Sequence, residues 1–171
     1  PFIEAGKRDL YVIPEYKTAF RNPFMQVPTV DILCSFYNRE GEPFESSPEY
    51  ILRKAHRVFK ETTGLTMEAM GELEYYIIAP DEGMYPVPDQ KGYHESAPYN
   101  KFANYRVEAM RLIAQAGGMI KYGHSEVGNF THEDKIYEQN EIEFLPTNIE
   151  DAADQLVVAK WIMRQLAYEY G

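Results

Sequence analysis

Apolar positions change their period along the chain, and that period is the first guide to its structure. From 48 to 63, Ile51, Leu52, Ala55, Val58 and Phe59 recur at helical spacing. In front of them Ser46-Ser47-Pro48-Glu49 supplies a hydroxyl cap, a first-turn proline and an acid for the helix dipole, and Gly64 marks the stop. A second helical pattern runs over about 99–116, turning Phe102, Tyr105, Ala109, Leu112 and Ile113 inward and ending at Gly117-Gly118. A third follows Thr147-Asn148, with Ala152, Leu156, Ala159, Met163, Leu166 and Tyr170 inward and Glu150, Asp151 and Asp154 in the first turns, where the macrodipole favours acids.

Shorter alternating runs predict strands over 10–14, 18–21, 29–36, 72–78, 119–127 and 138–145. The stretch 79–98, rich in proline, glycine and aspartate, reads as one long loop, and loops of that length usually carry function or stay disordered. Strands and helices mix without a regular β-α-β rhythm. The pattern therefore predicts an α+β fold, a largely antiparallel sheet with helices on one face, with residues 1–171 as a single domain.

Composition narrows the class. With 171 residues and 44% hydrophobic content, the chain can bury a core without a disulfide or structural metal. Cys34 is the lone cysteine, which excludes a disulfide framework and any multi-cysteine metal site and fits a reducing cytoplasm. Seventeen basic against 27 acidic side chains leave a charge of −10, so nucleic acid is not an expected partner. No apolar run is long enough to span a membrane, so none is expected as a partner either. The chain opens on proline rather than methionine and ends on Gly171, so it reads as a segment of something longer.

The candidate chemistry lies in the acids. Along 71–78, Leu73, Tyr75 and Ile77 share one strand face while Glu72 and Glu74 share the other. Near 138, Gln139, Glu141 and Glu143 repeat the pattern opposite Asn140, Ile142 and Phe144, and Glu126 ends an apolar strand. Were Glu74, Glu126 and Glu141 brought to about 5 Å, each ionised pair would repel by about 3 kcal/mol at an effective dielectric near 20. Such a group stays ionised only beside a counter-charge, and hard divalent cations prefer oxygen ligands. The plainer alternative is a set of solvated acids on the open face of an antiparallel sheet.

Several runs together resemble the catalytic region of glutamine synthetase: Glu72-Leu73-Glu74-Tyr75-Tyr76, Gly92-Tyr93, His124-Ser125-Glu126-Val127, and Glu138-Gln139-Asn140-Glu141-Ile142-Glu143 leading to Ala152 and Asp154. The opening Asp9-Leu10-Tyr11-Val12-Ile13-Pro14-Glu15, with Thr18-Ala19 and Asn22-Pro23-Phe24, resembles a strand pair of the same family. The resemblance implies a ligase that joins glutamate to ammonia through a γ-glutamyl phosphate made from ATP, working in homo-oligomers. It implies two divalent metal sites for Mg²⁺ or Mn²⁺, with Glu74, Glu126 and Glu141 on the first and Glu72 on the second. Tyr93 stands where the family keeps an aromatic against adenine, and Lys121 stands where many members carry a nucleotide-contacting glutamate. His124 shares a strand face with Glu126 and is a candidate to sit behind the ligands, whereas His56, His94 and His132 read as surface or loop.

Departures from the family are also legible. Fourteen residues separate Glu126 from Glu141, more than is usual, so 129–137 reads as an extra loop segment. Ser125 stands in place of a common histidine. The family's N-terminal β-grasp domain and the C-terminal half of its catalytic domain have no counterpart here, so the catalytic set is incomplete and this chain alone is expected to be inactive. Two alternatives stay open: a γ-glutamyl-polyamine or other γ-glutamyl-amide ligase of the same family, or a non-catalytic metal-binding or assembly fragment.

Overall fold

The computed structural model describes residues 10–171, so Asp9 of the opening motif lies outside the described residues. In chain order the elements are β1 (Tyr11–Pro14), β2 (Phe20–Arg21), β3 (Val30–Asp31), β4 (Cys34–Tyr37), α1 (Pro48–Thr63), β5 (Glu68–Ala69), β6 (Glu72–Pro80), α2 (Ala103–Gln115), β7 (Ile120–His132), β8 (Lys135–Phe144), β9 (Thr147–Asn148) and α3 (Ile149–Tyr170). Among the described residues every strand pairing is antiparallel. Mixed helix and antiparallel sheet is the expected class. The elements divide into two units, one running to Ala69 and including Pro146–Asp154, the other made of Met70–Leu145 and Gln155–Gly171.

Among the described residues the first unit holds three two-stranded ribbons, β1 with β4, β2 with β3 and β5 with β9. Two of its predicted strands are corrected. The run 18–21 begins in a 3-10 turn, Tyr16–Thr18, which Thr18 closes by donating to the Glu15 carbonyl at 2.8 Å. The run 29–36 breaks into β3 and β4. Helix α1 starts at the predicted proline and stops at Gly64, whose φ of 73° is the left-handed conformation that glycine adopts without steric cost. Its cap differs from expectation, since Ser47 makes no side-chain capping bond. Its apolar stripe differs too: α1 has no buried residue, and Ile51 and Val58 are exposed. Polar contacts accompany it instead. Arg53 donates to Glu15 and Ser35, and His56 Nδ1 lies 2.9 Å from Glu150. Asn148 opens α3, its side-chain oxygen accepting from the Glu150 and Asp151 amides.

In the second unit β8 lies between β6 and β7. Tyr75 on β6 sets its ring 6.1 Å from Tyr105 of α2, whose hydroxyl donates to the Met163 carbonyl of α3 at 2.6 Å. Both helices thus belong to the sheet face that carries Leu73, Tyr75, Ile142 and Phe144. Ile142, Phe144, Ala109, Ile113, Ala159 and Ile162 are almost wholly buried, and each large member contributes about 2 kcal/mol. Gly71 at the mouth of β6 permits this packing, because a Cβ there would stand 3.0 Å from Leu156.

A polar knot lies beneath the same face. Glu138, 1% exposed, accepts from the Lys101 and Phe102 amides at 2.8 and 3.2 Å and from Asn100, just ahead of α2. Arg106 in turn donates to Asn100 and Asn140. Helix α2 therefore begins at Ala103 instead of about 99, because the preceding amides serve a carboxylate rather than a helical turn. Segment 129–137 is likewise not a loop. It extends β7 and β8 into one hairpin, His132 facing Lys135 across Glu133 and Asp134, both at positive φ. Among the described residues no helix is long and apolar enough to cross a membrane.

Candidate functional site

The face of the sheet away from α2 gathers the acids by register. Glu72 pairs with Glu143 and Glu74 with Glu141 between β6 and β8, while Tyr122 pairs with Glu143 and His124 with Glu141 between β7 and β8. Side chains alternate along a strand, so these six and Gln139 project from one side.

Glu126 reaches the same group through an irregularity. Ser125 pairs with Asn140 and Asn129 with Glu138, which leaves Glu126, Val127 and Gly128 facing Gln139 alone. A bulge of this kind re-aims side chains. It is held from the outside by the loop after β6. The amides of Gln90, Gly92 and His94 donate to the carbonyls of Asn129, Val127 and Ser125 at 2.8, 3.3 and 3.0 Å, and the Ser125 hydroxyl donates to the Gly92 carbonyl at 2.7 Å. Gly92 is required there, because a Cβ would lie 2.7 Å from the Glu126 carbonyl oxygen.

Two groups of ligand atoms result, each drawn together within 4.8 Å: His124, Glu126 and Glu141, and Glu72, Glu141 and Glu143. His124 stands between the acids, Nδ1 3.6 Å from Glu126 and Nε2 3.5 Å from Glu141 and 3.8 Å from Glu143. Burial above all pushes the Glu141 carboxyl up to about 7; Glu72, Glu126 and Glu74 add to the rise and His124 opposes it. Glu143 goes the other way. A hydrogen bond from the Lys121 ammonium at 2.7 Å, then one from the Tyr122 hydroxyl, hold it below the usual carboxylate range. Donating to that carboxylate pushes the Tyr122 hydroxyl up to about 12.

The residues singled out in the sequence divide accordingly. Glu72, Glu126 and Glu141 fall within the two groups. Glu74 faces Glu141 in register but belongs to neither, and its Oε2 accepts from Gln139 at 2.6 Å. Tyr93 is exposed, with its ring 5.5 Å from His124 and 4.4 Å from His94. Lys121 turns its ammonium to Glu143 and lies 5.1 Å from the Tyr122 ring centre. His94, expected to be an unremarkable loop residue, stacks on His124 at 4.4 Å. His124 is itself within a group rather than behind one. Glu143 also falls within a group, and its place two residues after Glu141 is the sequence signal that points to it.

Oxygen ligands from several carboxylates with one imidazole suit a hard divalent cation, Mn²⁺ tolerating the nitrogen better than Mg²⁺. The raised Glu141 supplies the fit, since a carboxyl whose charge is disfavoured by burial and then by neighbouring carboxylates is what a cation would relieve.

Comparison with known proteins follows the same line. Residues 45–171 match the family model described as glutamine synthetase, catalytic domain. The glutamine synthetase of Clostridium saccharobutylicum is 26% identical over 99% of this chain and 38% of its own length. That of Thermotoga maritima is 27% identical over 99% and 38%, and that of Methanosarcina mazei 29% identical over 82% and 30%. The chain thus spans less than half the length of these relatives. A cryo-EM structure of Plasmodium falciparum glutamine synthetase shares the fold, with a TM-score of 0.81 at 17% identity over 98% of this chain and 37% of that one.

Proposed function

Because this chain belongs to the glutamine synthetase catalytic-domain family, we propose that it forms part of the catalytic domain of an ATP-dependent glutamate–ammonia ligase and carries metal- and nucleotide-binding residues. The observation that supports this reading most is the convergence of Glu72, Glu126, Glu141, Glu143 and His124 on the open face of a sheet. The whole protein would bind glutamate, ammonia and ATP, form γ-glutamyl phosphate and release glutamine, as a cytoplasmic homo-oligomer.

The chemistry explains why such a face is needed. A carboxylate is a poor electrophile, and phosphorylation gives it a leaving group. Charge then builds on the transferring phosphoryl, and Mg²⁺ or Mn²⁺ bound at this face would neutralise it. The chain's own residues position and tune. Glu126 and Glu141, with His124, offer one ligand set, and Glu72, with Glu141 and Glu143, offers a second that shares a carboxylate. Glu74 joins the first set by releasing Gln139, a change of partner for an exposed side chain. Tyr93 presents an exposed aromatic face to a nucleotide base, and Lys121 places an ammonium within reach of phosphate.

Calorimetric titration with Mn²⁺ tests the metal half of this reading. Binding by the chain, lost in Glu141→Gln and weakened in Glu126→Gln, is the expected result. Binding indifferent to both substitutions would remove the basis for the assignment. The reaction is tested on the longest product of the gene by glutamate-dependent ATP turnover with ammonia against larger amines, the latter being preferred by a γ-glutamyl-amide ligase.

A further inference from the structure

The open sheet face changes its chemistry along its length. On β6 and β8 the register sets Glu72 opposite Glu143, then Glu74 opposite Glu141, then Tyr76 opposite Gln139, then Ile78 opposite Tyr137. Beyond the bulge of β7, Phe130 pairs with Tyr137. Acids thus give way to a shelf of Tyr76, Ile78, Tyr137 and Phe130, half of it supplied by segment 129–137, which the metal and nucleotide roles leave unused. The rings of Phe130 and Tyr137 stack at 4.7 Å and 6°, and Tyr76 meets Phe130 at 6.1 Å. Tyr76 reaches over β8 to the bulge, where a Cβ on Gly128 would run into its hydroxyl. Holding the hairpin together does not account for the shelf. The hairpin buries its other face, where Ile136 and Asn129 are 3% and 4% exposed, whereas Tyr76 and Ile78 stay 47% and 53% exposed. Aromatic rings left open to solvent beside carboxylates suit a cation with a flat apolar body. Strand residues rise about 3.4 Å each, so Tyr76 stands about 7 Å along β6 from Glu74, about the length of an arylalkyl amine.

We propose that this shelf seats the organic substituent of a primary amine, so that the ligase passes its γ-glutamyl group to arylalkyl amines as well as to ammonia. The inference rests on the ligase reading and adds an acceptor to it. The nitrogen points to the acid rows, and the ring lies on Tyr76 and Phe130. In the reaction the ammonium first gives one proton to water. Its nitrogen lone pair then forms the C–N bond to the γ-carbonyl carbon of γ-glutamyl phosphate, the C–O bond to the phosphoryl group breaks, and phosphate leaves with the electrons of that bond. Loss of a second proton from nitrogen leaves a neutral γ-glutamyl amide. Ammonia reaches the acids and leaves the rings uncovered, so the shelf adds affinity for the larger acceptor alone.

Benzylamine is the probe, with methylamine to remove the ring and benzyl alcohol to remove the charge. In an NMR titration of the 171-residue chain, benzylamine should move the ring signals of Tyr76, Phe130 and Tyr137 and bind at least about fivefold more tightly than either control. Tyr76→Leu and Phe130→Leu keep apolar bulk and remove the flat ring, and each should weaken benzylamine about fivefold. Tyr76 lies outside the hairpin, so its variant decides the matter if Phe130→Leu unfolds that element. In the longest product of the gene, glutamate-dependent ATP turnover should yield γ-glutamylbenzylamide, and the same substitutions should lower the kcat/KM ratio of benzylamine to ammonia about tenfold. Benzylamine bound no better than methylamine, or a ratio that neither substitution moves, overturns the shelf, and the ligase reading stands where ammonia supports turnover. Ring signals that answer to ATP and not to benzylamine give the shelf to the nucleotide and overturn the proposal too. Should neither ammonia nor benzylamine support turnover, the ligase reading falls and the added acceptor falls with it.

Discussion

Glu141 is the residue on which the local electrostatics converge, and its ionisation should be visible in the stability of the chain. Burial, together with the carboxylates of Glu72, Glu126 and Glu74, raises its pKa from 4.5 to about 7 against the opposing pull of His124. Below pH 4.5 the folded and unfolded chains both hold the proton, and the group costs nothing. Between about 4.5 and 7 the folded chain holds more protons, so stability falls as pH rises, and above 7 the cost is complete. Glu141→Gln should therefore stabilise the chain by about 1–3 kcal/mol at pH 8 and much less at pH 5, measured by urea unfolding. An equal gain at both pH values would show that the carboxylate is not strained. The alternation of Glu141 with Ile142 was legible in the sequence. Its crowding was not, because the four acids come from three strands that are distant in sequence.

At the scale of elements, two of the features that the sequence did not reveal are a buried acid ahead of α2 and a bulge in β7. Glu138 looks like one more acid in an acidic strand, yet it receives the amides ahead of α2 and sits in the same knot as Arg106. Glu138→Ala should cost about 3–5 kcal/mol, since it strands those amides and leaves Arg106 buried without its nearby negative charge. Glu138→Gln should cost less, about 1–2 kcal/mol. Chemical denaturation with helix content followed by circular dichroism would check both, and a neutral Glu138→Ala would contradict the account. The bulge in β7 is the second feature. Gly92→Ala would drive a methyl into the Glu126 carbonyl, which as backbone can yield only by moving the bulge. It should cost about 1–3 kcal/mol and weaken Mn²⁺ binding as well. Unchanged binding with lowered stability would mean that Glu126 is not held by this contact. Neither feature has a local signature: a buried acid and a solvated one have the same letter, and a bulge is defined by its partner strand.

At the scale of the whole molecule, surface and charge govern behaviour. Tyr11, Val12, Ile51, Val58, Met84 and Tyr168 are among many large apolar side chains left exposed, while the chain carries a charge of −10. Apolar surface favours association and like charge opposes it. Sedimentation velocity should accordingly show self-association that grows with concentration and strengthens in about 1 M salt, where the Debye length falls to about 3 Å. A strictly monomeric boundary at high salt and high concentration would count against that balance.

The sequence by itself determined the helices α2 and α3, the strands of the main sheet, the face on which their acids stand and the family to which the chain belongs. These follow from periods of 3.6 and 2, from stop signals such as Gly117-Gly118 and from short motifs, all of which are local. Only the tertiary structure decided that Glu72 meets Glu143, that Glu126 turns inward at a bulge, that 129–137 is a hairpin, that Glu138 is buried and that Lys121 holds Glu143. The same limit applies to α1, whose helical stripe was legible and whose exposure was not. Register, burial and ion pairing depend on which distant residues arrive opposite one another, and that is settled by backbone pairing and packing summed over the fold rather than by any short run of side chains.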